Sequence, residues 1–174
     1  QEVIIVTGDK DIMQLVDEIV ELFMVTSGIS GSAIVGAEEV EEKLGIKPSQ
    51  VVDYKALIGD SSDNYPGVYG IGPKTAEQLF ENYDSVDEIY AHLDEIDGYE
   101  KDKLEKGKES AFLSKELAVI VQDVPVEVDW EKTRWSDQHL LKLKKCLKEL
   151  NFRSLVGRIE DKFNKGETDN QLSL

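Results

Sequence analysis

The stretch Leu57-Ile58-Gly59-Asp60-Ser61-Ser62-Asp63-Asn64-Tyr65-Pro66-Gly67-Val68-Tyr69-Gly70-Ile71-Gly72-Pro73-Lys74-Thr75-Ala76 limits what this chain can fold into more than any other. Its first half carries two acids, Asp60 and Asp63, three positions apart among turn-forming residues. Its second half is punctuated by glycine and opens a helix. Pro73 suits the first helical position, where no N–H is needed. Gly70-Ile71-Gly72 leaves the first N–H groups of that helix uncovered, and Lys74 and Thr75 sit in its first turn. A helix start of this kind attracts phosphate. One stretch therefore sets a place for a cation beside a place for a phosphate, the pairing that phosphodiester chemistry uses.

Upstream, Val3 to Val6 is an unbroken apolar run, expected as a strand covered on both faces of a parallel sheet. It ends in Thr7-Gly8-Asp9-Lys10-Asp11. A helix is expected next, with Ile12, Leu15 and Val16 on one face and Asp11 as N-cap. A second strand follows over Ile19 to Thr26. Strand, acidic turn, helix, strand reads as a piece of a doubly wound α/β fold, in which ligands gather beyond the carboxyl ends of the strands. Asp9 and Asp11 fall there. Ser27 to Ser32 reads as a loop, and Gly36 to Gly45 as a short helix stopped by Gly45.

A domain boundary is placed near Ile46 to Pro48, because beyond it the periodicity is helical. Pro48 opens a helix that buries Val51, Val52, Tyr54, Leu57 and Ile58. Helices are expected over Pro73 to Asn82, over Val86 to Leu93 with Ser85 as N-cap, and over Lys103 to Val121. The last of these is rich in apolar residues and reads as strongly buried. Pro125 forces an extended segment, and Asp137 to Leu150 is an amphipathic helix. A short helix follows over Phe152 to Ile159, and the chain turns polar from Asp161, as a linker or tail does. The organisation expected is 1–47 α/β, 48–160 helical and 161–174 tail. The opening residues lack both a signal peptide and an initiating Met, so the chain reads as part of something longer.

Composition excludes some functions and strains others. No apolar run is long enough for a membrane span. The single cysteine, Cys146, points to a reducing, cytoplasmic setting and is expected as a small core hydrophobe. The net charge of −16, from 20 Lys+Arg against 36 Asp+Glu, argues against a nucleic-acid partner. Local arrangement decides where a phosphate docks, however. The acids crowd into Glu38 to Glu42, Glu81 to Glu100 and Glu127 to Glu131, whereas Pro66 to Ala76 contains Lys74 and no acid.

Asp9 and Asp11 point the same way in an extended turn, where two carboxylates repel unless a cation lies between them. The plainer alternative is an Asx turn and a helix cap. Asp60 and Asp63 share one face of a helical turn; the plainer alternative is capping of the structure that follows. Such oxygen ligands suit Mg²⁺ or Mn²⁺. Zinc is disfavoured, because no Cys/His set exists and His92 and His139 are isolated. Gly70-Ile71-Gly72 is either a tight turn between helices or a helix-hairpin-helix element that grips a DNA backbone without reading bases. The carbonyls of Val68 and Ile71 would suit a monovalent cation such as K⁺.

Val6 to Asp11, Asp53 to Asn64, Pro66-Gly67-Val68 and Gly70-Ile71-Gly72 with Lys74-Thr75-Ala76 together resemble the 5′-nuclease domains of bacterial DNA polymerase I and the wider flap endonuclease family. Leu113 to Ala118, Asp123-Val124-Pro125 and Leu147 to Leu155 extend the likeness over about Val3 to Ile159. The resemblance implies an α/β fragment, PIN-like with an incomplete parallel sheet, followed by an all-helical domain with a helix–three-turn–helix motif. It implies Mg²⁺-dependent 5′-3′ exonuclease and flap endonuclease activity in DNA replication and repair. Asp9, Asp11, Asp60 and Asp63 match the carboxylates around one ion of a two-metal site, half of it present here. Gly70, Ile71, Gly72, Lys74 and Thr75 match the hairpin that holds duplex or 5′-flap DNA.

The sequence departs from the family in lacking the N-terminal half, which supplies the other metal-site acids and a basic arch. Tyr65 and Pro73 also stand where the family tends to have other residues. The chain alone is therefore expected to be inactive or nearly so, with a polymerase domain a candidate to follow its tail. Two rival readings remain: a non-catalytic module that binds DNA backbone, and a metal- or nucleotide-binding α/β domain unrelated to DNA.

Overall fold

A computed structural model describes residues 2–25 and 31–161. Residues 27–30 of the expected loop and the tail beyond 161 lie outside them. The chain divides into two compact units between Asp123 and Val124.

The first unit begins with a three-stranded sheet in the order β1 (Val3–Thr7), β2 (Val20–Met24), β3 (Ala33–Val35). β1 and β2 are parallel, with Val3 opposite Val20 and Thr7 opposite Met24. β3 runs antiparallel to β2, with Leu22 opposite Val35, so the sheet is mixed rather than purely parallel. Only three residues long, β3 carries no readable period in the sequence.

β2 alternates inward through Leu22 and Met24, but β1 differs from expectation: Val3, Ile4 and Val6 are exposed. The expected helix between β1 and β2 is a single 3₁₀ turn over Asp11–Leu15. Lys10, not Asp11, precedes it, and Met13 and Val16 are the residues it buries. The turn cannot lengthen because the Asp17 carboxylate accepts the N–H groups of Ile19 and Val20 at 2.8 Å and directs the chain into β2.

α1 (Ala37–Leu44) starts where the Gly36 N–H donates to the Glu39 carboxylate at 2.8 Å and stops at Gly45. A 3₁₀ turn, Pro48–Gln50, leads into α2 (Val51–Ile58). α3 (Pro73–Phe80) and α4 (Val86–Ala91) follow. Ser85 caps α4 as expected, its hydroxyl accepting the Glu88 N–H at 3.2 Å. α5 (Gly98–Ala118) is the longest helix and packs along α2.

α5 begins earlier than the sequence pattern indicates and is not strongly buried. Leu104, Ala111, Ser114 and Ala118 face inward, while Leu113, Leu117 and, just beyond the helix, Val121 are exposed. One core joins Met13 and Leu22 to Val40, Val51, Leu57, Leu79, Ile89 and Leu104. The boundary expected near 46–48 thus lies inside the first unit, with core residues contributed from both sides of it.

In the second unit, residues 124–129 form neither helix nor strand, and the Val126 N–H donates to the Val124 carbonyl at 2.8 Å across Pro125 where an extended segment was expected. α6 (Trp130–Thr133) is capped by Asp129, whose carboxylate accepts the Lys132 N–H at 3.2 Å. α7 (Asp137–Glu149) is followed by helical residues 153–161, and Lys144 pairs with Glu160 at 2.9 Å. Cys146 is exposed, contrary to the expectation of a core position, because the apolar face of α7 is largely uncovered: Leu141, Leu143 and Leu150 are exposed too. Among the described residues no helix is long and apolar enough to cross a membrane.

Candidate metal centre and backbone clamp

α2 is apolar apart from Asp53 and Lys55, and both are buried. Each is answered by a partner on another element, since a buried charge left alone costs several kcal/mol. Asp53 accepts the Val86 N–H at 3.1 Å and pairs with Lys115 of α5 at 2.8 Å. Lys55 points the other way. Its ammonium pairs with Asp11, at the end of the sheet, and lies 2.9 Å from Asp60 in the turn after α2.

That turn is closed by a two-residue bridge. The Asp60 N–H donates to the Tyr65 carbonyl at 3.0 Å, and the Tyr65 N–H returns to the Asp60 carbonyl at 3.1 Å. Closure brings Asp63 toward Asp60 and Asp11. One carboxylate oxygen from each of Asp11, Asp60 and Asp63 lies within 4.8 Å of the other two. Asp9 is outside this trio: its carboxylate accepts the Asp11 N–H at 2.9 Å, which fixes the direction of the strand exit. Hydrogen bonding from the Ser62 hydroxyl, and then from Lys55, holds the Asp60 carboxyl well below the usual carboxylate range. Asp60 thus stays anionic throughout ordinary pH.

Two features of this centre escape a reading by spacing. Lys55 is one; its signal is a lone lysine in an otherwise apolar helix. The other is Tyr65, a buried side chain whose hydroxyl has no hydrogen-bond partner among the described residues. Burial first, and then the charges of Asp60, Asp63 and Asp9, push its phenol up to about 12.

The glycine turn is built against α5. Gly67 has φ +63°, and a Cβ there would lie 2.3 Å from the Gly59 nitrogen, so only glycine fits. The Gly67 N–H donates to the Ser114 hydroxyl at 3.0 Å, and the Ser110 hydroxyl donates to the Gly67 carbonyl at 2.5 Å. The Val68 N–H donates to the Leu57 carbonyl at 2.7 Å, and the Ile71 N–H to the Val68 carbonyl at 3.0 Å. Val68 and Ile71 are buried beneath the turn. Gly70 is exposed, and its carbonyl accepts Lys103 of α5 at 2.5 Å.

Gly72 is the N-cap of α3 and Pro73 its first residue, leaving Lys74 exposed and Thr75 partly exposed in the first turn. Lys74 makes no ion pair among the described residues. The acid turn and the helix start lie on either side of the glycine turn, which is fastened to α2 through Val68 and to α5 through Gly67 and Gly70.

Residues 46–140 match the family described as 5′-3′ exonuclease, C-terminal SAM fold. The chain belongs to that family. It is 44% identical over 160 residues to a DNA polymerase I of Caldicellulosiruptor bescii, and 38% identical over 172 residues to the DNA polymerase I of Bacillus subtilis. The alignments cover 91% and 98% of this chain but 19% and 20% of those proteins, so the chain spans about one fifth of their length.

Among solved structures, the fold is similar to the bacteriophage T5 5′-exonuclease with zinc bound, at a TM-score of 0.58 and 23% identity over 67% of this chain and 42% of that one. A bacteriophage T5 flap endonuclease in complex with DNA and metal ions gives the same TM-score at 22% identity. This mostly helical fold with its small three-stranded sheet thus resembles the 5′-3′ exonuclease fold.

Proposed function

We propose that this chain is part of a metal-dependent, structure-specific 5′-3′ exonuclease and flap endonuclease of DNA replication and repair, and supplies one carboxylate cluster and one backbone clamp to it. The observation that carries this reading is the convergence of Asp11, Asp60 and Asp63 within 4.8 Å, in the segment that leads into the glycine turn and α3. Family membership, and relatives that carry the DNA polymerase I name, support it.

The donor set fits a hard divalent cation. Three carboxylate oxygens converge, and the cation already answering two of them is the Lys55 ammonium. Mg²⁺ or Mn²⁺ held there would supply neutralisation of charge on a phosphodiester. Asp11, Asp60 and Asp63 are the proposed ligands, with Asp9 fixing Asp11 from behind and contributing charge. Lys55 bridges Asp11 and Asp60 and offsets the repulsion between them. Gly70, Ile71, Gly72, Lys74 and Thr75 are the proposed contacts to a duplex backbone, through the N–H groups of α3 and the lysine. The Val68 and Ile71 carbonyls are the proposed seat for K⁺. The proposed cluster draws Asp11 from the α/β part before residue 48 and Asp60 and Asp63 from the helical part after it, and the proposed clamp lies wholly in the latter.

In-line hydrolysis stabilises both attacking and leaving oxygens, which calls for two metal clamps. The described residues bring together one such carboxylate cluster, so the chain alone is proposed to be inactive or nearly so. Incubation with a 5′-flap duplex and Mg²⁺ or Mn²⁺ tests this. Robust cleavage that Asp63→Ala abolishes would overturn the inactivity. A thermal melt tests the cation site: Mn²⁺ should raise Tm, and Asp60→Asn should remove the rise. A non-catalytic DNA module with structural acids predicts no such rise. An α/β domain unrelated to DNA predicts no salt-sensitive duplex binding.

A further inference from the structure

A groove of about 430 Å³ runs between the glycine turn and α5, of a size that takes small organic groups. The Pro66-Gly67 backbone, Tyr69, Tyr99, Lys103 and Lys106 line it, with Asp102 on the same side of α5. Its two aromatic rings are the unusual feature. Tyr69 is 94% exposed and Tyr99 is 68% exposed. An aromatic ring gains stability by burial, so an occupant stacked on these two rings would bury apolar area that now meets water.

The groove is also built, not incidental. Gly107 of α5 lies so close to Val68 that a Cβ there would sit 2.7 Å from a Val68 methyl. The Lys103 ammonium stacks 4.0 Å from the centre of the Tyr99 ring while it donates to the Gly70 carbonyl. Lys103 therefore fastens the Tyr99 shelf to the same turn that precedes α3. Lys106 makes no ion pair among the described residues. In a chain of net charge −16, a groove with two lysines and one carboxylate is locally complementary to an anion.

Flat open rings beside lysines are the chemistry that holds unpaired nucleotides: bases stack on the rings regardless of sequence, and lysines meet the phosphates. We infer that the groove accepts an unpaired nucleotide of the strand whose duplex portion lies on the glycine turn, with its base against Tyr69 or Tyr99 and its phosphate near Lys106. This rests on the nucleic-acid reading given above and adds a single-strand contact to it.

The test compares a blunt duplex with the same duplex carrying a short single-stranded overhang, using 2-aminopurine at successive overhang positions. The overhang should tighten binding about tenfold, and one overhang position should lose fluorescence as it stacks. Tyr69→Ala and Tyr99→Ala should each reduce the gain, and the double variant should abolish it. Tyr→Phe at both positions should keep it. Both rings are exposed, so these variants fold, and circular dichroism verifies that. Equal binding of blunt and overhanging duplex, or a gain that survives the double alanine variant, would overturn this inference and leave the duplex clamp standing. Absence of salt-sensitive binding to either DNA would overturn the nucleic-acid reading and this inference with it.

Discussion

The ammonium nitrogen of Lys55 lies 2.9 Å from the Oδ2 of Asp60, inside the cluster of carboxylates that the chain brings together. It also pairs with Asp11. A buried lysine and a bound divalent cation would share the same oxygens, so each should weaken the other. Lys55→Met removes the resident charge and leaves Asp11 and Asp60 to repel. In EDTA the variant should lose about 2 kcal/mol of stability. In Mn²⁺ it should recover more Tm than the unsubstituted chain does. Melts in the two buffers check this; a Mn²⁺ response no larger than the parent's would contradict it.

Lys115 is the partner of both Asp53 and Asp87, at 2.8 Å and 2.5 Å. Lys115→Met strands Asp53 in the core and should cost about 2 kcal/mol in urea denaturation. The same hub sets an acid limit. Hydrogen bonding from Lys115 holds the Asp87 carboxyl below its ordinary value. A lowered value means its contribution is complete above the unfolded value of roughly 3.9 and is lost as the pH falls through the lower folded one. The parent should therefore lose part of its stability in that acid window, and Lys115→Met should lose less across it.

Among the described glycines, Gly67→Ala should be the most damaging addition of a methyl group. The new Cβ would strike the backbone at Gly59 and Ile58, and φ +63° is costly for any L side chain. A loss of about 3 kcal/mol is expected. Ser114→Ala is the milder control, since it leaves the buried Gly67 N–H without its acceptor, at about 1–2 kcal/mol. Urea denaturation of both variants orders them.

Lys74→Ala should weaken duplex binding about equally for unrelated sequences and lower the salt slope by roughly one. Fluorescence anisotropy across a salt series measures it. An unchanged slope would remove Lys74 from the proposed clamp.

What was legible in the sequence was local. The Gly45 stop, the Ser85 cap and the Pro73 start depend on residues within a turn of themselves, and the structure places them as read. Turn chemistry paired Asp9 with Asp11 and Asp60 with Asp63, and only the family likeness joined the four; the structure brings Asp11, Asp60 and Asp63 together without Asp9. What was hidden was set at long range. Ser110 and Ser114 are more than forty positions from the glycine they hold, and no periodicity marks them. Lys55 meets Asp11 from a distant part of the chain, a pairing that no local pattern marks. The helix expected after Asp11 contracted to one turn because Asp17 captures the backbone beyond it. The apolar count of α5 overstated its burial, since one narrow stripe suffices to meet α2.

The fastening of Gly67 to Ser110 and Ser114 has a mechanical consequence. The acid turn and the start of α3 flank Gly67 on either side, so both are referred to one fixed point on the long helix. They cannot slide relative to each other without breaking that latch. Under the function proposed above, such an arrangement would act as a gauge block: the separation between the backbone held at α3 and the carboxylates would be machined into the fold, and the position of a cut along the strand would be set by that separation and not by the bases.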